Sequence, residues 1–129
     1  MHYLHNIEEE TLANEYFRKV LYTDPRFQLV LMSIPPGVDI GLETHDLDQF
    51  IRIESGAGKA LIDGEEYALS DGSALVIPKG VAHNVINTST GEALKLYSIY
   101  APAQHPAGTI HATKEDALAD EEHEHSQGV

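Results

Sequence analysis

Four side chains stand out for what they can do together. Glu43 and His45 are two residues apart, a spacing that on extended backbone turns both side chains to one face. Gln49 follows four residues beyond His45, across Asp46-Leu47-Asp48. If the chain turns there and returns as the neighbouring strand, its amide can look toward the same centre. His83 comes from a distant stretch, directly after the corner Pro78-Lys79-Gly80. The chain has no cysteine, so any metal must be held by nitrogen and oxygen, and thiol nucleophiles and disulfides are excluded as well. Two imidazoles and a carboxylate are costly to bury alone, and a metal ion is the simplest partner for them.

Bringing such residues together takes a closed sheet, and the punctuation of the chain is that of an all-β protein. Short apolar runs are separated by Gly, Pro, Asp or Asn. Tyr16 to Thr23 and Phe27 to Ile34 read as a hairpin around Asp24-Pro25, ended by Pro35-Pro36-Gly37. Strands are expected at Gln49 to Glu54 and Lys59 to Ile62, and Asp63-Gly64 reads as a type I′ turn into Glu65 to Leu69. Ala74 to Ile77, His83 to Asn87 and Leu94 to Tyr100 complete the set. So many short strands call for a sandwich or barrel, because closure removes exposed edges. Helix is expected only after Pro106, where Thr113 and Asp116 form a capping pattern ahead of Ala117-Leu118-Ala119.

Laid on two sequence motifs, these residues resemble the cupin superfamily. Gly37, Glu43, His45, Gln49 and Gly56 fall where its first motif has glycine, histidine, histidine, glutamate and glycine. Gly72, Pro78, Gly80, His83 and Asn87 fill the second motif. The chain is similar to small single-domain cupins of the conserved-barrel type, mannose-6-phosphate isomerase-like members included. The resemblance implies a double-stranded β-helix, a jelly-roll barrel spanning residues 1–112, with a short helix and disordered acidic tail over 113–129. It also implies one divalent metal ion on Glu43, His45, Gln49 and His83. Glu43 stands where a histidine is usual and Gln49 where a glutamate is usual, and the two departures leave the site charge at −1. His45, His83 and Glu43 then form a 2-His-1-carboxylate set suited to Fe(II), and Mn, Zn, Ni or Co can take the same donors. A metal-free binding or storage barrel is the competing reading.

Other residues carry less. Arg52 has opposite parity to Gln49 and should face away from the metal, with Ile51 and Ile53 lining the interior. Tyr97 and Tyr100 also have opposite parity, so one at most points inward; Tyr97 is taken, with Glu43, as a candidate catalytic group. Asn87 is expected to fix local backbone. His2, His5, His105 and His111 have no local constellation and read as surface or loop residues, and His123-Glu124-His125 lies in a polar tail.

At 129 residues the chain fits one domain, and no apolar run approaches the roughly 20 residues of a membrane helix. The formal charge of −13 argues against phosphate backbones and anionic lipid, so neither nucleic acid nor membrane is an expected partner. Met1 to Asn6 lacks the basic start and apolar stretch of a secretory signal, which reads as cytoplasmic. The function expected by resemblance is metal-dependent chemistry on a small oxygen-rich molecule such as a sugar or sugar acid, of isomerase or lyase type. A mononuclear non-haem metal dioxygenase and a non-catalytic small-ligand module are the alternatives. Pairing through the first hairpin would give a homodimer.

Overall fold

The computed structural model describes the backbone of residues 2–127 and the side chains of residues 2–121. A short helix α1 (Ile7–Ala13) precedes eight strands: β1 (Arg18–Asp24), β2 (Phe27–Ile34), β3 (Asp48–Ser55), β4 (Gly58–Ile62), β5 (Glu65–Leu69), β6 (Ala74–Ile77), β7 (His83–Asn87) and β8 (Leu94–Ala101). A two-residue strand β9 (Ile110–His111) and helix α2 (Lys114–Gln127) follow. The expected strands are present, several with the expected bounds, and so is a C-terminal helix. The acidic tail and His123-Glu124-His125 lie outside the described side chains.

The strands form two antiparallel sheets, one in the order β6-β3-β8-β2-β1-β9 and one in the order β5-β4-β7. Their facing sides share one core, to which the larger sheet brings Ile34, Ile51, Ile53 and Leu96 and the smaller brings Ala60, Leu69 and Val85. Inward and outward residues alternate cleanly on β3 and β8: Gln49, Ile51 and Ile53 face in, as do Leu94, Leu96, Ser98 and Tyr100. β2 is different. It is buried at every position after Phe27, because α1 packs across the outer face of β2, β3 and β8. Helix α1 was not expected from the sequence; Asn6 starts it, its side-chain oxygen accepting from the Glu9 amide at 3.0 Å.

Turn chemistry sets the strand register. Asp63 (φ 51°) and Gly64 (φ 84°) adopt the paired left-handed geometry of the expected type I′ turn, and Ile62 pairs Glu65 across it. Gly56 sits at φ 114° with its α-carbon so close to β8 that a β-carbon would stand 2.8 Å from the Ala93 carbonyl oxygen. Asn87 does the backbone work expected of it: its amide nitrogen donates to the carbonyls of Ile34 and Glu92, both at 2.8 Å, and its oxygen accepts from the Ser89 amide at 2.9 Å. At the far end, Ala117 of α2 enters the core, and the Thr113 hydroxyl caps the helix by accepting from the Asp116 amide at 3.2 Å.

Candidate metal centre

The segment between β2 and β3 is extended but belongs to neither strand. Glu43 pairs with His83 as an isolated antiparallel bridge, with amide-to-carbonyl distances of 2.8 and 2.9 Å in the two directions. Two residues on, the His45 carbonyl accepts from the Gly80 amide at 2.9 Å, and the Lys79 amide donates to the Asp48 side chain at 3.0 Å. The Pro78-Lys79-Gly80 corner therefore holds the loop that carries His45. Gln49, at the start of β3, donates its side-chain amide to the Ser98 hydroxyl on β8 at 2.9 Å, which turns its oxygen the other way.

These anchors bring the four expected ligand residues together. The rings of His45 and His83 lie 5.3 Å apart, and His45 Nε2 is 3.5 Å from a Glu43 carboxylate oxygen. Glu43, Gln49 and His83 line a cavity of about 10 Å³ with Ile51, Asn84 and Tyr100, which is room for one water-sized occupant. Among the described residues no three His, Asp or Glu side chains stand in a ready-made metal-holding arrangement. Two buried atoms in the group, His45 Nε2 and Gln49 Oε1, make no hydrogen bond, and the first has the Glu43 carboxylate 3.5 Å away. His83 is oriented through Nδ1, 2.9 Å from the Val81 carbonyl oxygen; since a carbonyl only accepts, Nδ1 carries the proton and the Nε2 lone pair is free.

Burial sets the electrostatics. It raises the Glu43 pKa to about 7, against the pull of the Arg18 charge and with a smaller push from Glu121. It lowers His45 to about 4, reinforced by His83 and Arg18, so the ring is a neutral lone-pair donor at neutral pH. Tyr100 is pushed up to about 12 by burial and then by the Glu43 charge, so its hydroxyl keeps its proton.

Tyr97 does not join this group. It faces outward on β8, its ring 6.2 Å from Phe50, because the alternation that buries Ser98 and Tyr100 turns residue 97 to the opposite side. Tyr100 is the inward tyrosine, with its ring 5.8 Å from His45. Arg52 faces out as expected and pairs with Glu54 at 3.0 Å. Of the histidines read as surface or loop residues, His105 does lie in a loop but is partly buried, and His111 is a buried strand residue. His105 stacks edge-on against Tyr100 at 5.3 Å, and Gln28 holds its loop by accepting from the amides of Gln104 and His105. His111 is 7% exposed and bridges Arg18 and Asp120. Arg18 itself was passed over, although its parity with Val20 on β1 marks it as a charged residue on a core-facing position.

Two antiparallel sheets closed around a polar centre of histidine, carboxylate and amide define the cupin architecture, and residues 30–100 match the Cupin domain family. The chain belongs to that family. It is 49% identical over 124 residues to the uncharacterized protein YrkC of Bacillus subtilis, covering 91% of this chain and 66% of that one. It is likewise 49% identical over 112 residues to the uncharacterized protein L612 of Acanthamoeba polyphaga mimivirus, covering 84% of this chain and 70% of that one. The chain thus spans about two thirds of the length of these curated relatives. Among solved structures, BH2720 from Bacillus halodurans is 48% identical and superposes with a TM-score of 0.88, over 91% of this chain and 93% of that one. Among the described residues no helix is long and apolar enough to cross a membrane.

Proposed function

We propose that this cupin binds one divalent metal ion and uses it as an enzyme on a small oxygen-rich substrate, a sugar or sugar acid, in an isomerase- or lyase-type reaction. The observation that carries the reading is the pair of orphaned buried atoms, His45 Nε2 and Gln49 Oε1, beside the free Nε2 of His83. Buried polar atoms ordinarily find partners, and two imidazole nitrogens and an amide oxygen beside a carboxylate are donors of the types that a divalent cation takes. His45 and His83 would hold the ion, Glu43 and Gln49 would complete or yield their places, and Fe, Mn, Zn, Ni and Co all accept such donors.

Bound there, a divalent ion supplies Lewis acidity toward a substrate oxygen. The chain's own residues do the rest. Glu43, where it yields its place on the ion, can take a proton from substrate carbon or oxygen and return it. Tyr100 stays protonated and can donate a hydrogen bond, and Ile51 and Val85 keep the floor of the centre apolar. The 2-His-1-carboxylate composition supports a second reading, a mononuclear dioxygenase, if the ion is Fe(II). A cytoplasmic homodimer belongs to the same proposal, with Phe27 on the first hairpin, 39% exposed, as part of the pairing surface.

Elemental analysis of anaerobically purified protein tests the metal. Near-stoichiometric metal is expected in the wild type and loss of it in a double variant, His45→Ala with His83→Ala. Equal metal content in the two proteins would overturn the assignment. Turnover of a panel of sugars, sugar acids and diketones then separates an enzyme from a non-catalytic ligand-binding module.

A further inference from the structure

Arg18 is the most deeply buried cation of the described chain, 3% exposed, on a strand position that faces the interior. Its Nη1 lies 3.3 Å from His111 Nδ1. A guanidinium can only donate, so Nδ1 accepts and the His111 proton sits on Nε2, which is 2.8 Å from an Asp120 oxygen. This relay grips one end of the guanidinium and fixes its plane. The Nε atom has no hydrogen-bond partner although it is buried, and among the described residues no carboxylate pairs with Arg18. A buried charge left without a counter-ion is expensive, whereas the Nε–Nη2 edge of an arginine fits the two oxygens of a carboxylate.

Arg18 is buried on the interior side of the larger sheet, the side that also carries Gln49 and Tyr100, and its charge acts on the metal centre. It opposes the rise in the Glu43 pKa and helps depress those of His45 and His105. His105, whose buried Nε2 is also unpartnered, stacks on Tyr100, and Tyr100 stacks on His45. Both residues thus act on the same centre, His105 through this line of stacked rings and Arg18 through its charge.

We propose that Arg18 is the carboxylate anchor of the substrate site, which makes the substrate a small monoanionic acid bearing a second oxygen for the centre. His105 borders the same subsite, and the His111–Asp120 pair positions the guanidinium. The proposal rests on the metal-centre reading for that second oxygen, while the anchoring itself needs only Arg18. It selects acids over neutral sugars within the class proposed above.

The test uses short ω-hydroxy and α-hydroxy acids, from glycolate to 4-hydroxybutyrate, each against its own carboxamide. Affinities are measured by calorimetry on as-purified and on metal-stripped protein. We expect at least one acid of the series to bind the stripped wild type about tenfold more tightly than its amide, the worth of a charge-assisted hydrogen bond. Arg18→Gln and Arg18→Lys should remove or reduce that preference while the metal content of the as-purified protein is unchanged. A stripped wild type that binds no acid better than its amide overturns the anchor, whether or not the variants fold. A preference that persists in a folded Arg18→Gln overturns it too. An absence of metal with the acid preference intact would sink the metal-centre reading and leave the anchor standing.

Discussion

Glu43 and His83 face each other across an antiparallel bridge, exchanging amide-to-carbonyl hydrogen bonds of 2.8 and 2.9 Å, and neither the backbone before Glu43 nor that after it continues as a strand. Together with the bridge between Asp39 and Ile86, this contact joins the segment carrying Glu43 and His45 to the small sheet carrying His83. Backbone pairing places Glu43 and His83, while side-chain bonds from Gln49 to Ser98 and from His83 Nδ1 to Val81 turn the Gln49 oxygen and the His83 Nε2 away from those partners.

Gln49 offers a direct handle on ion affinity. Gln49→Glu would restore the carboxylate usual at this motif position and give the site a second negative charge, with the Ser98 hydroxyl, 2.9 Å from the present amide, able to donate to it. Divalent-ion affinity should rise by about tenfold or more, read by competition with a chromogenic chelator.

Asn87 should prove structural rather than chemical. Asn87→Ala strips partners from the carbonyls of Ile34 and Glu92 and from the Ser89 amide, with the first of these buried. The expected cost is about 3 kcal/mol in urea unfolding, since each buried group left unsatisfied costs roughly 1–3 kcal/mol. Metal content should not change in the folded fraction.

Gly56 (φ 114°) and Gly64 (φ 84°) both have positive φ and should respond differently to alanine. At Gly56 the new methyl would meet the Ala93 carbonyl oxygen at 2.8 Å, while at Gly64 nothing stands within 4 Å. Gly64→Ala should cost only the left-handed strain, about 1 kcal/mol, and Gly56→Ala about 3 kcal/mol or more. Thermal melts of the two variants side by side check the difference.

His105 should make the fold acid-sensitive. Burial, and then the Arg18 charge, lower its pKa from 6.5 to about 3. The unfolded chain therefore binds a proton near pH 6.5 that the folded chain does not take until near pH 3. Stability is unaffected by this group above the unfolded value and falls as pH drops through that window. His105→Gln should flatten the slope of melting temperature against pH between about 6.5 and 3; an unchanged slope would assign the acid sensitivity to other groups.

Much of the architecture was legible because it is local. Asp63-Gly64 imposes its turn through its own backbone angles, and Phe27 to Ile34 or Glu65 to Leu69 announce strands by composition between breakers. The motif residues Glu43, His45, Gln49 and His83 could be picked out from type and spacing, and strand parity correctly turned Arg52 outward. Parity left Tyr97 and Tyr100 undecided, since it says that two residues face opposite ways but not which way is in. The pairing of β8 with β3 and β2 decides that, by setting Tyr100 against Gln49 and Gln28.

What tertiary structure alone supplied is the company these residues keep. Arg18 meets His111 because β1 pairs with a two-residue strand too short to recognise, and His105 reaches Tyr100 because Gln28 ties down its loop. Such contacts join residues far apart in the chain, and their free energy comes from burial and hydrogen bonds that exist only after the sheets have closed. Types, turns and parity are properties of neighbouring residues and were written in the sequence; which charges share one interior is a property of the closed barrel.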